Sequence, residues 1–178
     1  MSENCGCGSG GSCCGQHEGC CGDEQKKDIL IDFLYLDLET CDRCCGTDEV
    51  LSEALQKVVE LFSAAGLKPV LRKIKIESVQ MAEEYHFTSS PTIRVNGRDI
   101  ASSVQENSCT SCGEICGDAV NCRVWEYEGN QYEVPPVGFL VDALLKGVYV
   151  PESLPEPAKE YTVPENIRKF FAGASSIN

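Results

Sequence analysis

The distribution of apolar residues divides the chain from Ile29 onward into strands and helices. Residues 29–38 are mostly apolar at both alternating sets of positions, which a strand tolerates only when both of its faces are covered. We therefore predict a central strand there. From Thr47 the apolar residues change to helical spacing, and Gly66 lies where that helix should end. The folded part of the chain thus begins with a central strand and a long helix.

The next two elements are indicated by alternation and by a capping residue. Residues 67–76 alternate apolar and basic positions, which predicts a second strand that is half buried or at an edge of the sheet. Ser78 is a suitable cap for a short helix over residues 79–87. His86 lies at the end of that helix, where a lone histidine is a cap or packing residue more often than a ligand.

Prolines and one turn dipeptide mark the remaining core elements. Pro91 opens an apolar strand, where its missing N–H needs no partner. Asn96 and Gly97 then form the strongest short signal for a hairpin, which returns through residues 98–100. The pair Pro135-Pro136 starts a final core helix whose apolar stripe should cover the sheet.

The C-terminal segment, residues 150–178, is spaced by prolines and should be extended. Pro164 then opens a short amphipathic helix. Its apolar side carries Ile167, Phe170 and Phe171, which we expect to dock on the domain rather than to recruit a partner.

Composition restricts the compartment and the partners. The 178 residues suffice for one core of ordinary size, and they include 13 cysteines and a formal charge of −13. No apolar run resembles a signal peptide or a membrane span, so we expect a cytoplasmic protein whose clustered cysteines are catalytic or metal-binding. The charge makes nucleic acid and membrane surfaces poor partners. Soft metal or metalloid ions and protein or small-molecule thiols and disulfides remain, and we expect no nucleotide cofactor.

Residues 1–26 form a tail rich in cysteine, glycine and serine. Nothing in it would bury a core, so we expect disorder in the absence of a ligand. A supple chain with paired thiols is suited to wrapping a soft metal or metalloid, with His17 as an additional nitrogen ligand. A low-complexity tail without a site is the alternative. The candidate ligands are Cys5, Cys7, Cys13, Cys14, Cys20 and Cys21.

A second group of thiols, Cys41, Cys44 and Cys45, lies between the central strand and the first helix. Unpaired N–H groups and the helix dipole favour a thiolate at such a junction. Nearby acidic residues oppose a thiolate, which favours either a reducing dithiol or sulfurs that lose protons only to a soft cation or an arsenic(III)-like centre. Three buried, inert cysteines are the alternative, although ligands commonly bind at strand-to-helix junctions.

The order strand, thiol cluster, helix, strand, helix, Ser-Pro and hairpin resembles the thioredoxin superfamily. The segments TCDRC, SSPTIRVNGRDI and YTVPENIRKFF resemble, more narrowly, small thioredoxin-like proteins known mainly as a domain of unknown function, some encoded near arsenic-resistance genes. The resemblance covers residues 27–175. It implies an α/β, three-layer thioredoxin-like sandwich over residues 27–149. It also implies a cis Pro91 that faces the CxxC motif and shapes the docking groove. The chain lacks the tryptophan before Cys41 and the Gly-Pro between the cysteines that ordinary thioredoxins have.

Residues 102–134 read as an insertion with four more thiols. This segment is poor in apolar residues and needs a cross-link to hold its fold. Its cysteines are Cys109, Cys112, Cys116 and Cys122. A four-cysteine zinc site is our first interpretation, with an iron–sulfur cluster, redox-active disulfides and free thiols as alternatives. A small hairpin around residues 128–131 should close the insertion, with Trp125 in the core.

Two functions follow from these patterns. The first is a thiol–disulfide oxidoreductase in which Cys41 and Cys44 exchange disulfides, Cys45 is an alternative resolving thiol, and soft metals bind elsewhere. The second is a protein that sequesters heavy metal or arsenite without turnover. Thirteen thiols exceed what a dithiol needs, which favours some metal binding in either case.

Overall fold

A computed structural model of the chain describes residues 26–117, 119–158 and 160–177. The cysteine-rich tail predicted over residues 1–26 therefore lies outside the described residues, except for Lys26. In chain order the elements are β1 (Lys27–Tyr35), α1 (Asp42–Ala64), β2 (Leu67–Lys75), α2 (Val79–Glu84), β3 (Thr92–Val95), β4 (Arg98–Asp99), β5 (Gln105–Ser108), α3 (Thr110–Cys116), β6 (Asn121–Tyr127), β7 (Asn130–Tyr132), α4 (Val137–Tyr149) and α5 (Glu165–Ile177).

The main sheet has four strands in the order β2-β1-β3-β4. Strand β1 pairs in parallel with β2 and antiparallel with β3, and β3 continues into β4 through a tight turn. The predictions that β1 is central, that β2 lies at an edge and that Asn96-Gly97 closes a hairpin are all confirmed. At the start of β1, however, Leu30 is exposed, so the strand is covered on both faces only further along.

Helices cover both faces of this sheet, which confirms an α/β sandwich. On one face the odd-numbered residues of β1, such as Phe33, pack with the apolar sides of α1 and α4. On the other face Leu34 and Leu36 pack with α2, α5 and the buried cysteines. The described residues therefore form two separate apolar cores, and their buried thiols all belong to the second.

Helix α1 begins earlier than predicted. The apolar stripe starts at Leu51, but the helix starts at Asp42 with Cys41 as its N-cap. Because the first turn faces the buried sulfurs, it shows no aliphatic stripe in the sequence. Gly66 follows the helix with φ +71°, the left-handed conformation expected of a C-terminal stop.

The insertion carries more regular structure than predicted. The predicted hairpin is present as β6 and β7, and the Trp125 side chain is fully buried. Strand β5 and helix α3 were not predicted. Together β5, β6 and β7 form a second, three-stranded sheet.

The short elements at the periphery follow the predictions, except that α2 ends at Glu84 and not at residue 87. The Ser78 hydroxyl accepts a hydrogen bond from the Met81 amide at 3.1 Å and so caps α2. The His86 ring stacks on Tyr161, which confirms a packing role. In α5, Ile167 and Phe170 are buried against the second core, as expected for a docking helix. None of the described helices combines the length and the apolar character that crossing a bilayer requires.

Candidate metal centre

Two CxxC motifs begin two helices of the chain. Cys41 is the N-cap of α1 and Cys44 lies in its first turn. Cys109 and Cys112 occupy the corresponding positions in α3. Neither N-cap side chain makes a capping hydrogen bond to its helix. Both N-cap sulfurs thus sit where helix N–H groups favour negative charge.

The fold of the insertion brings its sulfurs together. The Cys109 amide donates to the Val120 carbonyl at 2.8 Å, which ties the start of α3 to the loop before β6. Cys122 lies in β6, opposite Asn107 of β5. The start of α3 therefore lies beside β6, and the sulfurs of Cys109, Cys112 and Cys122 come together.

Four sulfurs meet at the junction of the insertion and the main sheet. The Sγ atoms of Cys41, Cys109, Cys112 and Cys122 all lie within 4.8 Å of one another. The Sγ atom of Cys112 lies 3.2 Å from that of Cys122 and 3.6 Å from that of Cys41. All four side chains are buried. We call this group the four-sulfur site.

The membership of this site differs from the predicted ligand set, because Cys41 stands in place of Cys116. Cys116 is the last residue of α3 and its Sγ lies 4.0 Å from the Gly113 carbonyl oxygen. A Cβ atom on Gly173 would overlap the Cys116 carbonyl oxygen, so α5 packs directly against this end of α3. The helix therefore directs Cys112 toward the site and holds Cys116 against α5.

The other two thiols of the first cluster lie beside the site. The Cys44 Sγ lies 3.3 Å from the Ser90 hydroxyl and within hydrogen-bonding reach of Cys41. The Cys45 thiol donates to the Leu38 carbonyl at 2.6 Å and is only partly buried. Cys44 thus lies beside both Cys41 and Ser90, whereas the Cys45 thiol is bonded to the Leu38 carbonyl.

The thiols differ strongly in pKa. The pKa of Cys41 lies well below its usual range because Cys109, then Cys112 and Cys122, hydrogen-bond to its sulfur. The pKa of Cys109 falls to about 7, chiefly through its hydrogen bond with Cys112. The pKa values of Cys112 and Cys122 are raised, in each case first by the hydrogen bond with Cys109. Negative charge in the site therefore collects on Cys41.

Acidic surroundings were predicted to oppose thiolates throughout the first cluster. This holds for Cys45, whose pKa is raised by burial and then by the charges of Cys41 and Asp37. The pKa of Cys44 is also raised, first by its hydrogen bond with Cys41 and then by burial. Cys41 departs from the prediction because neighbouring thiols, which are distant in sequence, stabilise its charge.

Arg43 joins the first helix to the insertion. Its guanidinium is buried and donates to the carbonyl oxygens of Ser108 at 2.8 Å and Cys122 at 3.3 Å. It also pairs with the Glu133 carboxylate at 2.5 Å. Ser108 directly precedes Cys109, so one side chain fixes the backbone beside two of the four sulfurs.

Strand β6 lies against the proline that was predicted to shape a docking groove. The Ser90–Pro91 peptide bond is cis, as the resemblance implies, and both residues are buried. The Ser90 carbonyl accepts a hydrogen bond from the Arg123 amide of β6 at 2.7 Å. Strand β6 therefore occupies the backbone position beside Pro91.

The sulfur arrangement fits a single tetrahedral ion. Zinc–sulfur bonds of about 2.3 Å place tetrahedral sulfurs about 3.8 Å apart, close to the separations seen here. Thiolate ligands select zinc and other soft ions over magnesium or calcium. In a polynuclear iron–sulfur cluster the cysteines bind different iron atoms, so their sulfurs lie further apart than around a single ion. The site therefore suits one soft ion better than the predicted alternative of an iron–sulfur cluster.

Comparison with known proteins gives a family but no activity. The family model described as "Domain of unknown function (DUF2703)" matches residues 29–144. An uncharacterized protein of Archaeoglobus fulgidus is 28% identical over 109 residues, which cover 60% of this chain and 77% of the relative. No solved structure matches the chain.

Proposed function

The chain belongs to the DUF2703 family, whose description states no activity, and we propose that it binds one soft metal ion, zinc foremost, at the four-sulfur site. The observation that carries this proposal is the convergence of four buried Sγ atoms within 4.8 Å. Such a set has all four positions supplied by protein, which is typical of structural rather than catalytic zinc. The ion would hold the insertion against the start of α1.

The surroundings of the site support an ion rather than four buried thiols. Four thiolates around a divalent cation carry a net charge of about −2, which needs partial compensation when it is buried. The guanidinium of Arg43 and the N-termini of α1 and α3 supply positive charge at this junction. Compensation of this kind is also what second-shell groups provide in zinc sites.

Thiol–disulfide exchange by Cys41 and Cys44 is the second candidate function. The strand order β2-β1-β3-β4, the CxxC motif at the start of α1 and the cis Ser90–Pro91 bond together support a thioredoxin-like domain. The specific observation in favour is the 3.3 Å contact between Cys44 and Ser90, which places the pair beside Pro91. In this reaction Cys41 would attack a disulfide of a protein or small thiol compound and Cys44 would resolve the mixed disulfide. A cytoplasmic location would keep the pair reduced.

Arsenite sequestration is a variant of the first proposal. Arsenic(III) is a soft centre that takes thiolates, and the site offers more sulfurs than a single such centre needs. In this variant the tail, residues 1–26, would capture the ion first. Zinc is the better match because all four sulfurs converge.

Metal content of matched variants tests the proposal. We expect Cys109→Ser to bind one ion per chain fewer than the parent, because it removes one of four ligands. Cys116→Ser changes a buried cysteine of the same helix that lies outside the site, and it should keep the parent's content. Elemental analysis of anaerobically purified full-length protein, with cobalt(II) absorption as a reporter of thiolate ligation, provides the measurement. Equal metal content in Cys109→Ser and the parent would refute the proposal.

Metal affinity should rise with pH. Zinc and protons compete for the same sulfurs, and the raised pKa values of Cys112 and Cys122 keep both thiols protonated at neutral pH without metal. Binding should therefore release about two protons or more per ion, and affinity should fall steeply as pH decreases. Competition with a chelator of known affinity across the neutral range measures this slope. An affinity that does not change with pH would be inconsistent with thiolate ligands.

A further inference from the structure

The candidate dithiol is closed off by the chain's own insertion. Cys41 and Cys44 each have 0% of their surface exposed, although a pair that exchanges disulfides must meet its substrate. Cys41 is surrounded by three sulfurs of the insertion, Cys109, Cys112 and Cys122. The sulfur of Cys41 is therefore covered by cysteines of the insertion.

Several contacts attach the insertion to the rest of the chain. The Trp125 side chain is buried in the first core, the Arg123 guanidinium pairs with the Asp99 carboxylate of β4 at 2.8 Å, and α3 packs on α5. Strand β6 contributes the Arg123 amide to the Ser90 carbonyl, at the position beside Pro91. Arg43 holds the backbone at Ser108 and Cys122. At Cys41 the link to the insertion is the four-sulfur site itself. A metal ion there would connect Cys41 of the core to three ligands of the insertion.

Cys41 belongs to both candidate functions, and this creates competition. It is one of the four ligands, and it is also the partner of Cys44 in the CxxC motif. A sulfur in a disulfide has no thiolate to offer a metal ion, and a metal-bound thiolate is withheld from disulfide exchange. Metal ligation and a Cys41–Cys44 disulfide therefore exclude each other.

We propose that the metal ion of the four-sulfur site controls access to the Cys41–Cys44 dithiol, so that the loaded chain is inert toward disulfides and the metal-free chain reacts with them. This inference rests on the metal site proposed above and adds its regulation and its substrate class, a disulfide. Loss of the ion removes the link between Cys41 and the three sulfurs of the insertion, and the insertion loosens around Cys41 so that a disulfide can reach this thiol.

The reaction balances without a further cofactor. In the metal-free chain the Cys41 thiolate attacks one sulfur of a disulfide RS–SR, which forms a mixed disulfide and releases RS⁻. The Cys44 sulfur then attacks the Cys41 sulfur, which forms the Cys41–Cys44 disulfide and releases the second RS⁻. The two protons of the protein thiols pass to the two leaving thiolates. The substrate gains two electrons and the protein loses them.

The rate of disulfide formation with and without zinc tests this inference. Full-length protein is either loaded with zinc or stripped with a chelator, and both forms are mixed with oxidised glutathione under anaerobic conditions. Trypsin cleaves after Arg43, so a Cys41–Cys44 disulfide links the peptides of residues 28–43 and 44–57, and fragmentation distinguishes Cys44 from Cys45. At free zinc of about 100 times the Kd, we expect this linked pair to form about a hundredfold more slowly than in stripped protein.

Matched variants separate this inference from the metal site itself. Cys109→Ser should lose one ion, and its dithiol should react rapidly whether zinc is present or not, whereas Cys116→Ser should behave like the parent. Elemental analysis first establishes that the zinc-loaded parent holds the ion of the four-sulfur site. If this loaded protein reacts as fast as the stripped parent, the inference is wrong and the metal site stands. If stripped parent never forms the linked peptides, the inference is also wrong. If Cys109→Ser keeps the full metal content, the metal site fails and the inference with it.

Discussion

Removal of the metal should release the insertion while the main sheet stays folded. The second core, which holds α3 and the four sulfurs, depends on cysteines to a large extent, whereas the first core is built from aliphatic and aromatic side chains of β1, α1 and α4 together with Trp125 of the insertion. A ligand that binds only the folded form stabilises it by RT ln(1 + [L]/Kd), which is about 4 kcal/mol at free metal of 1,000 times the Kd. Chelation should therefore lower the local stability of residues 105–132 by several kcal/mol.

Amide hydrogen exchange measures this loss segment by segment. We expect exchange in α3, β5 and β6 to accelerate by up to about a thousandfold after chelation, since exchange reports the free energy of local opening. Helix α5 should loosen in part because it packs on α3 through Gly173. Strand β1 and helix α4 are internal controls and should change little. Equal protection of α3 in loaded and stripped protein would show that packing alone holds the insertion.

The sheet could be predicted because its signals are local. An Asn-Gly pair between two strands typically forms a hairpin turn, as Asn96-Gly97 does here. The Ser78 hydroxyl caps α2 through an amide only three residues further along the chain. The central position of β1 followed from its long apolar run. Each of these signals depends on neighbouring residues and not on where a distant segment folds.

The two cysteine-started helices could not be predicted in the same way. Cys41 and Cys109 are N-caps without a capping hydrogen bond, so a search for Ser, Thr, Asp or Asn caps does not find these helix starts. Strand β5, with the sequence QENS, has no apolar alternation and forms because it pairs with β6. Both facts depend on tertiary contacts.

Three of the four cysteines in the four-sulfur site were predicted together as candidate metal ligands. Cys109, Cys112 and Cys122 lie within one segment, and their density in the sequence marks them. The fourth sulfur, that of Cys41, comes from a motif that was assigned a separate redox role. The second CxxC motif, at residues 109–112, could have indicated that Cys41 takes part. Two CxxC motifs that come together can each contribute sulfurs to one ion. The contact itself depends on how the insertion folds back over the sheet.

Replacement of Arg43 should weaken metal binding although no ligand is changed. The guanidinium is 6% exposed and satisfies the carbonyl oxygens of Ser108 and Cys122, which lie beside two ligands. An Arg43→Met side chain has similar length and no donor, so these buried acceptors lose their partner and the sulfurs lose their fixed positions. Loss of such second-shell partners costs about 10–100-fold in metal affinity. Chelator competition on full-length protein measures the change.

Two further variants show whether Arg43 acts by positioning the ligands. Arg43→Lys keeps a charge and a donor but not the planar fork, so it should recover only part of the affinity. Glu133→Gln alters the other partner of Arg43. The Glu133 side chain is 60% exposed, and because surface ion pairs contribute about 0–1 kcal/mol, this variant should have little effect on metal affinity. The cobalt(II) spectrum should shift in Arg43→Met and stay unchanged in Glu133→Gln, while amide exchange in β1 is the same in both. A full parental affinity in Arg43→Met would mean that the four cysteines are positioned by the strand pairing of β5 and β6 and by the start of α3 alone.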